Sequence, residues 1–211
     1  QDAGPETLIS TGLTLTRTTI DQMARPTRGS RTQLDIANWG MIGGDRNFNR
    51  VSIDYTTYLA LHRDFLGRVT TLRIDAQVGQ MFGGDAPTYE RFYLGGRSFR
   101  GFQFRQVSPM GIDAAGNVTD VPVGGTFMFF AGTQYQHPLM GELLDGVAFI
   151  DSGTVTNDPG FDQYRVSVGI GFRGYIPQLG PTPLAFDFAI PLIQQDGDQT
   201  QLFSFSADLP F

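Results

Sequence analysis

Few side chains of this 211-residue chain are of a type and spacing that could do chemistry. Gly169-Ile170-Gly171-Phe172-Arg173-Gly174 fits G-x-G-x-x-G, but a phosphate-cradling loop of that pattern must leave a strand and open a helix. Here it lies inside an alternation of Val166, Val168, Ile170 and Phe172 with Ser167, Gly169, Gly171 and Arg173. The reading that fits is a strand whose glycines leave space for an inserted loop. His62 and His137 lie far apart, whereas a metal centre usually needs three or four ligands, so both read as rim or surface residues. The absence of Cys excludes a disulfide framework, a thiolate metal site and a Cys nucleophile. No G-x-S-x-G is present, no Ser/His/Asp grouping has local support, and no carboxylate pair is marked out. Asn117-Val118-Thr119 fits a glycosylation sequon and reads as accidental. The expectation is a protein with no catalytic residues, no metal ligands and no cofactor, and not an enzyme.

The elements that would position any site are strands. Leu72, Ile74, Ala76 and Val78 alternate with Thr71, Arg73, Asp75 and Gln77, the period-two pattern of a strand with two different faces. The same alternation runs through 164–175, through Leu184, Phe186, Phe188, Ile190 and Leu192, and through Phe203, Phe205, Ala207, Leu209 and Phe211. Strands are expected near 7–19, 30–42, 48–62, 67–82, 125–137, 143–155, 164–176, 183–193 and 200–210. Short turn-rich connections at 64–67, 138–141 and 178–182 contrast with one long connection at about 83–125, and long ordered loops are usually functional. Several of these strands approach 10–14 residues, nearer to tilted membrane strands than to the 5–6 residues of soluble ones. Their polar faces carry Arg and Asp in mid-strand, which suits a polar lumen inside and lipid outside. A soluble sandwich would alternate too.

Bulk composition agrees with many strands and tight turns. Gly numbers 27 and Phe 18, while charged residues are only 17%. The net charge of −6 argues against nucleic acid as a partner. No apolar run reaches the roughly 18 residues of a spanning helix. Trp39, Tyr55, Tyr58, Phe92, Tyr93, Tyr135 and Tyr175 lie near strand ends or within strands, as interfacial girdles or as core aromatics.

The long connection contains Phe92-Tyr93-Leu94-Gly95-Gly96-Arg97-Ser98-Phe99-Arg100-Gly101-Phe102. This resembles the sixth extracellular loop of the BamA/TamA superfamily of outer-membrane assembly and translocation proteins, whose hallmark is a glycine pair followed by Val/Ile-Arg-Gly-Phe/Tyr. Here Phe99 replaces the usual aliphatic. Arg25-Pro26-Thr27-Arg28-Gly29-Ser30 resembles the family's turn between two mid-barrel strands. The run from Asp145 to Val155 resembles the strand that follows the motif loop and its neighbour. Residues 176–192 resemble the Ser-Pro-x-Gly-Pro…Asp-x-Ala-x-Pro-Leu pattern near the C-terminus. Phe203, Phe205, Leu209 and Phe211 resemble the C-terminal signal recognised during barrel insertion.

The resemblance implies an all-β, antiparallel transmembrane β-barrel in the bacterial outer membrane, with residues 1–211 forming a single membrane region. About eight or nine strands would be the latter part of a sixteen-stranded barrel, and a self-sufficient small barrel is the lesser alternative. The loop would fold into the lumen, where its Arg pairs with groups on the wall. Arg100 is then expected to meet Asp151, with Gln134 standing where the family has a Glu. Asp151 shares strand parity with Val147 and Phe149, so turning it inward requires either a bulge, which Gly153 would permit, or an apolar patch in the lumen. The implied function is insertion of outer-membrane proteins, in which client strands enter through a weak lateral seam; the alternative is a secretion pore or passive channel. The implied partners are outer-membrane lipids, unfolded outer-membrane protein clients, periplasmic POTRA domains and accessory lipoproteins.

Overall fold

In a computed structural model, residues 6–176 and 183–207 are described. The strands are β1 (Leu8–Thr18), β2 (Gly29–Gly44), β3 (Phe48–Arg63), β4 (Val69–Phe82), β5 (Gly101–Phe102), β6 (Met110–Ile112), β7 (Val118–Pro122), β8 (Phe127–Met140), β9 (Leu144–Thr156), β10 (Arg165–Gly174), β11 (Leu184–Ile193), β12 (Thr200–Gln201) and β13 (Phe203–Ala207). Nine of them form one antiparallel sheet in the order β1-β2-β3-β4-β8-β9-β10-β11-β13. Every neighbour in that order is the next long strand along the chain, so the sheet is a meander interrupted only by the insertion between β4 and β8. Its two edges, β1 and β13, do not pair with each other among the described residues.

Short connections behave as their residues dictate. At the β3–β4 turn the Asp64 carboxylate accepts the backbone N–H groups of Leu66 and Arg68, both at 2.9 Å. Gly67 there takes φ +82°, a conformation that a β-carbon would strain. The 178–182 turn lies outside the described residues.

The two faces of the sheet are chemically inverted relative to a soluble protein. On β9 the side chains of Asp145, Val147, Phe149 and Asp151 are buried, while Ala148 and Ile150 are exposed. On β10 Arg165, Ser167, Gly171 and Arg173 are buried, and Ile170 and Phe172 are exposed. On β11 Asp187 is buried between the exposed Phe186 and Phe188. Charged groups therefore face the side covered by the β4–β8 insertion, and aliphatic and aromatic groups face away from it. Of the aromatics singled out by position, Tyr55 and Tyr135 lie on the outward face, whereas Trp39, Tyr58 and Phe92 are buried inward.

Two sequence expectations change in detail. The ladder between β8 and β9 runs without a shift from Phe127↔Thr156 to Pro138↔Asp145, so no bulge forms at Gly153. Asp151 points inward in normal alternation, and Phe149 and Val147 form an apolar patch beside it. The strand expected at 200–210 is split: among the described residues Thr200–Gln201 pairs with β5 and Phe203–Ala207 pairs with β11. Backbone pairing to the insertion competes with extension of the hairpin, and local alternation cannot register that competition.

Ile170, 62% exposed on the outward face, tests what that face meets. Ile170→Arg in the full-length protein should lower stability in lipid vesicles by about 2–4 kcal/mol, as expected for Arg near a bilayer midplane. Urea titration of vesicle-folded protein checks this, and a cost near zero would mean that the face does not meet lipid.

Candidate functional site

The insertion between β4 and β8 folds back over the sheet and packs on its buried face. Within it, short bridges pair Phe92 with Gly125 and Leu94 with Val107. Gly95 and Gly96 turn the chain with φ of +123° and +64°, and the turn is closed by a 2.8 Å bond from the Gly96 N–H to the Phe102 carbonyl. Phe99 and Phe102 are fully buried and meet edge to face at 5.1 Å. With Trp39, Phe48, Leu94, Val107, Met128, Phe130 and Val155 they form the main hydrophobic core, between the insertion and the sheet. The greasy residues on either side of Arg100 thus fix the backbone, and the guanidinium is left to reach the wall.

Arg100 donates from Nε to Asp151 Oδ2 at 2.8 Å and from Nη2 to Asp151 Oδ1 at 2.7 Å. Nη1 donates to Gln134 Oε1 at 2.9 Å, and the Arg100 backbone N–H reaches Asp151 Oδ2 at 3.2 Å. The guanidinium carbon lies 3.4 Å from the centroid of the Phe149 ring. A bidentate carboxylate on one side and an aromatic face beneath suit a planar, weakly hydrated cation better than they would suit an ammonium. The Asp151 side chain is only 2% exposed, so loss of this partner would leave a buried carboxylate uncompensated.

Four residues of the site escaped sequence reasoning. Arg173 donates to Asp187 at 2.7 Å and to Gln134 Oε1 at 3.0 Å, so the single Gln134 oxygen accepts from two arginines. Asp187 also lies 3.8 Å from Arg100 Nη1. Phe149 supplies the ring, and Ser167 Oγ donates to the Arg100 carbonyl at 2.5 Å. The second carboxylate near Arg100 therefore comes from β11 rather than β8. The available signals for Asp187 were its place between phenylalanines on β11 and in the Asp-x-Ala-x-Pro-Leu pattern.

Glycines make room for this arrangement. A β-carbon at Gly169 would collide with the Phe149 ring, and one at Gly171 with the Asp187 carboxylate. The space that they leave is filled by groups gathered around Arg100, rather than by the loop itself. At Gly101, φ is +95° and a β-carbon would sit 3.0 Å from Ser167 Cβ. The Phe203 and Phe205 rings face outward, at 5.3 Å from Phe188 and 5.1 Å from Phe186; Leu209 and Phe211 lie outside the described residues. At the opposite end of the buried face, Arg25 of the β1–β2 turn pairs with the buried Asp145, which also accepts from Gln136 at 2.6 Å. His137 shares a 2.8 Å hydrogen bond with Thr70 at the end of β4.

Arg100→Ala removes the partner of a buried carboxylate and should destabilise the full-length protein by about 3–5 kcal/mol. The heat-modifiable shift in gel mobility measures this, and an unchanged melting temperature would count against the clamp. Gln134→Glu gives both arginines a charged acceptor and should retain or raise the melting temperature. Gly169→Val should lower it, because the ring of Phe149 must then move.

The family model for the Omp85 superfamily domain matches residues 1–211. The outer membrane protein assembly factor BamA of Nitratidesulfovibrio vulgaris (strain Hildenborough) is 32% identical over 195 residues, covering 87% of this chain. The chain spans only 23% of that relative's length. A crystal structure of BamA from Haemophilus ducreyi lacking POTRA domains 1–3 superposes with a TM-score of 0.78 at 20% identity, covering 92% of this chain and 41% of that one.

Proposed function

Because this chain belongs to the Omp85 superfamily, we propose that it is the C-terminal barrel part of an outer-membrane protein assembly factor of the BamA/TamA kind. Membership supports outer-membrane protein assembly at the level of the family. The finer reading, that client strands enter through a weak seam bordered by the last strand, is our own. The observation that carries the assembly-factor reading is the docking of the 99–102 motif on the sheet through Arg100, Asp151 and Gln134.

In this reading the outward apolar face meets lipid, the buried polar face lines the lumen, and the 83–125 loop is an extracellular loop held inside. Residues 1–211 act as one membrane region. The remaining strands of a sixteen-stranded barrel close the sheet, since open edges facing lipid would each leave backbone groups unsatisfied at several kcal/mol apiece. A strand edge with few fixed partners is a template for an incoming strand, by the same main-chain bonding that builds the sheet. Clients are unfolded outer-membrane proteins; POTRA domains and accessory lipoproteins are further partners. The mechanism needs no bond-making chemistry from the chain, because the free energy comes from burying client strands in lipid and pairing their backbones. Phe203, Phe205, Leu209 and Phe211 are read as the chain's own insertion signal. A protein-secretion pore or passive channel of the same superfamily is the competing function, and conductance separates the two.

A photo-crosslinking residue at Ser206, on the last described strand, should capture unfolded outer-membrane protein clients in cells, whereas one at Val78 in mid-sheet should not. Equal capture at both positions, or none at Ser206, would remove the seam from the mechanism. Single-channel recordings of the full-length protein should show a mostly closed lumen; a steady open conductance would favour the transport pore.

A further inference from the structure

The connection from β11 to β13 does not follow the edge of the sheet. The β11–β13 ladder ends at Phe188↔Phe203, with one more bond from the Ala189 N–H to the Leu202 carbonyl at 2.9 Å. Continued in the same register, the hairpin would set Ile190 opposite Gln201 and Pro191 opposite Thr200. Instead Thr200 pairs with Phe102 and Gln201 with Gly101 of the motif loop. The Gln103 N–H extends this small ladder by donating to the Gln199 carbonyl at 2.9 Å. The residues that lead into the last strand are thus hydrogen-bonded to the segment that carries Arg100.

A second group holds the same connection from the sheet side. Arg165 of β10 grips Asp198 through Nε and Nη2, both at 2.8 Å. The side chains are 4% and 1% exposed. Asp198 Oδ2 also accepts the Gln195 N–H at 2.8 Å, and Arg165 Nη1 donates to the Gln163 carbonyl at 2.9 Å. An exposed ion pair on a connection adds little, but this one is desolvated, bidentate and further hydrogen-bonded, so removal of either partner strands a buried charge. Gly197, at φ +87°, lies in the turn closed by a 3.1 Å bond from the Asp198 N–H to the Gln195 carbonyl, which presents Asp198 to Arg165.

We propose that the Arg165–Asp198 pair is a latch. It holds the entry to the last strand off the edge of β11 and on the motif loop, so that among the described residues the ladder of that strand with β11 begins only at Phe203. The motif loop and the latch then set together how far the final hairpin zips, and hence how much of the edge is free. Arg165 and Asp198 act as positioning residues through the backbone of β12, without touching a client. This inference rests on the reading that the last strand borders the seam.

The test uses the full-length protein in outer membranes on a cysteine-free background, with two reporter pairs. Gln103→Cys with Gln199→Cys reports the ladder to the loop, and Ile190→Cys with Gln201→Cys reports zipping onto β11; antiparallel partners lie within the span a disulfide bridges. With the native latch, the first pair should cross-link well and the second poorly. Asp198→Asn should shift the ratio of the two yields by about tenfold toward the second pair, and Arg165→Gln should shift it the same way. Gln103→Pro, which removes the donor to Gln199 from the loop side, should raise the Ile190/Gln201 yield even if Asp198→Asn does not fold. An unchanged ratio in folded Asp198→Asn, or a Gln103→Pro protein without a raised yield, overturns the latch. Client capture at Ser206 is measured in the same variants. A shifted ratio with unchanged capture upholds the latch and removes its bearing on the seam, whereas a shifted ratio with altered capture upholds both.

Discussion

A guanidinium that has left water must be met by acceptors, and much of this structure follows from that requirement at Arg100. The hydrophobic residues that flank it, Phe99 and Phe102, draw the loop onto the sheet, and they would drag an uncompensated charge with them if the wall were apolar. The wall supplies a bidentate carboxylate from β9, an amide oxygen from β8, a hydroxyl from β10 that caps the motif's carbonyl, and an aromatic ring beneath the cation. Each contact comes from a different position of the meander, so the loop docks in one place only. Hydrophobic burial provides the drive, and the charge provides the address.

The sheet itself is organised around the same demand. Its buried face gathers charged side chains and its exposed face is aliphatic and aromatic, an inversion that makes sense if the exposed face meets hydrocarbon. Strands of ten to sixteen residues are long enough to cross that layer at a tilt. Glycine is used where two groups must share one volume. At Gly169 and Gly171 the missing β-carbons admit the Phe149 ring and the Asp187 carboxylate, two of the groups around Arg100.

Gln134 is instructive as a neutral residue between charges. Its oxygen accepts from Arg100 and Arg173 together, while Asp151 and Asp187 sit at either end of the row. Two guanidinium groups and two carboxylates balance, and an amide oxygen in the middle accepts one bond from each arginine without adding charge. The loop also reaches beyond its own anchor. Through β5 it pairs with the residues that enter the last strand, so the clamp and the edge of the sheet are parts of one hydrogen-bonded assembly.

The sequence by itself determined the meander. Alternation in Leu72–Val78 and in Leu184–Leu192 reads directly as strands with one greasy face, because side-chain direction along a strand depends only on parity. The eight long strands, the presence of a ninth and the insertion between β4 and β8 follow from that periodicity and from the turn residues. The pairing of Arg100 with Asp151 was legible only through resemblance of the motif to a family. The other residues of the site stayed hidden, although Phe149 and Asp187 lie within runs that resemble the family. Arg173, Asp187, Phe149 and Ser167 are ordinary strand residues until the sheet register brings them to one point, and register is a property of pairing between strands. The fate of Thr200 and Gln201 was likewise beyond local reading: Pro191, which would face Thr200 in a longer hairpin, has no N–H to donate, and only the tertiary structure brings the loop and Arg165 to where they hold this connection.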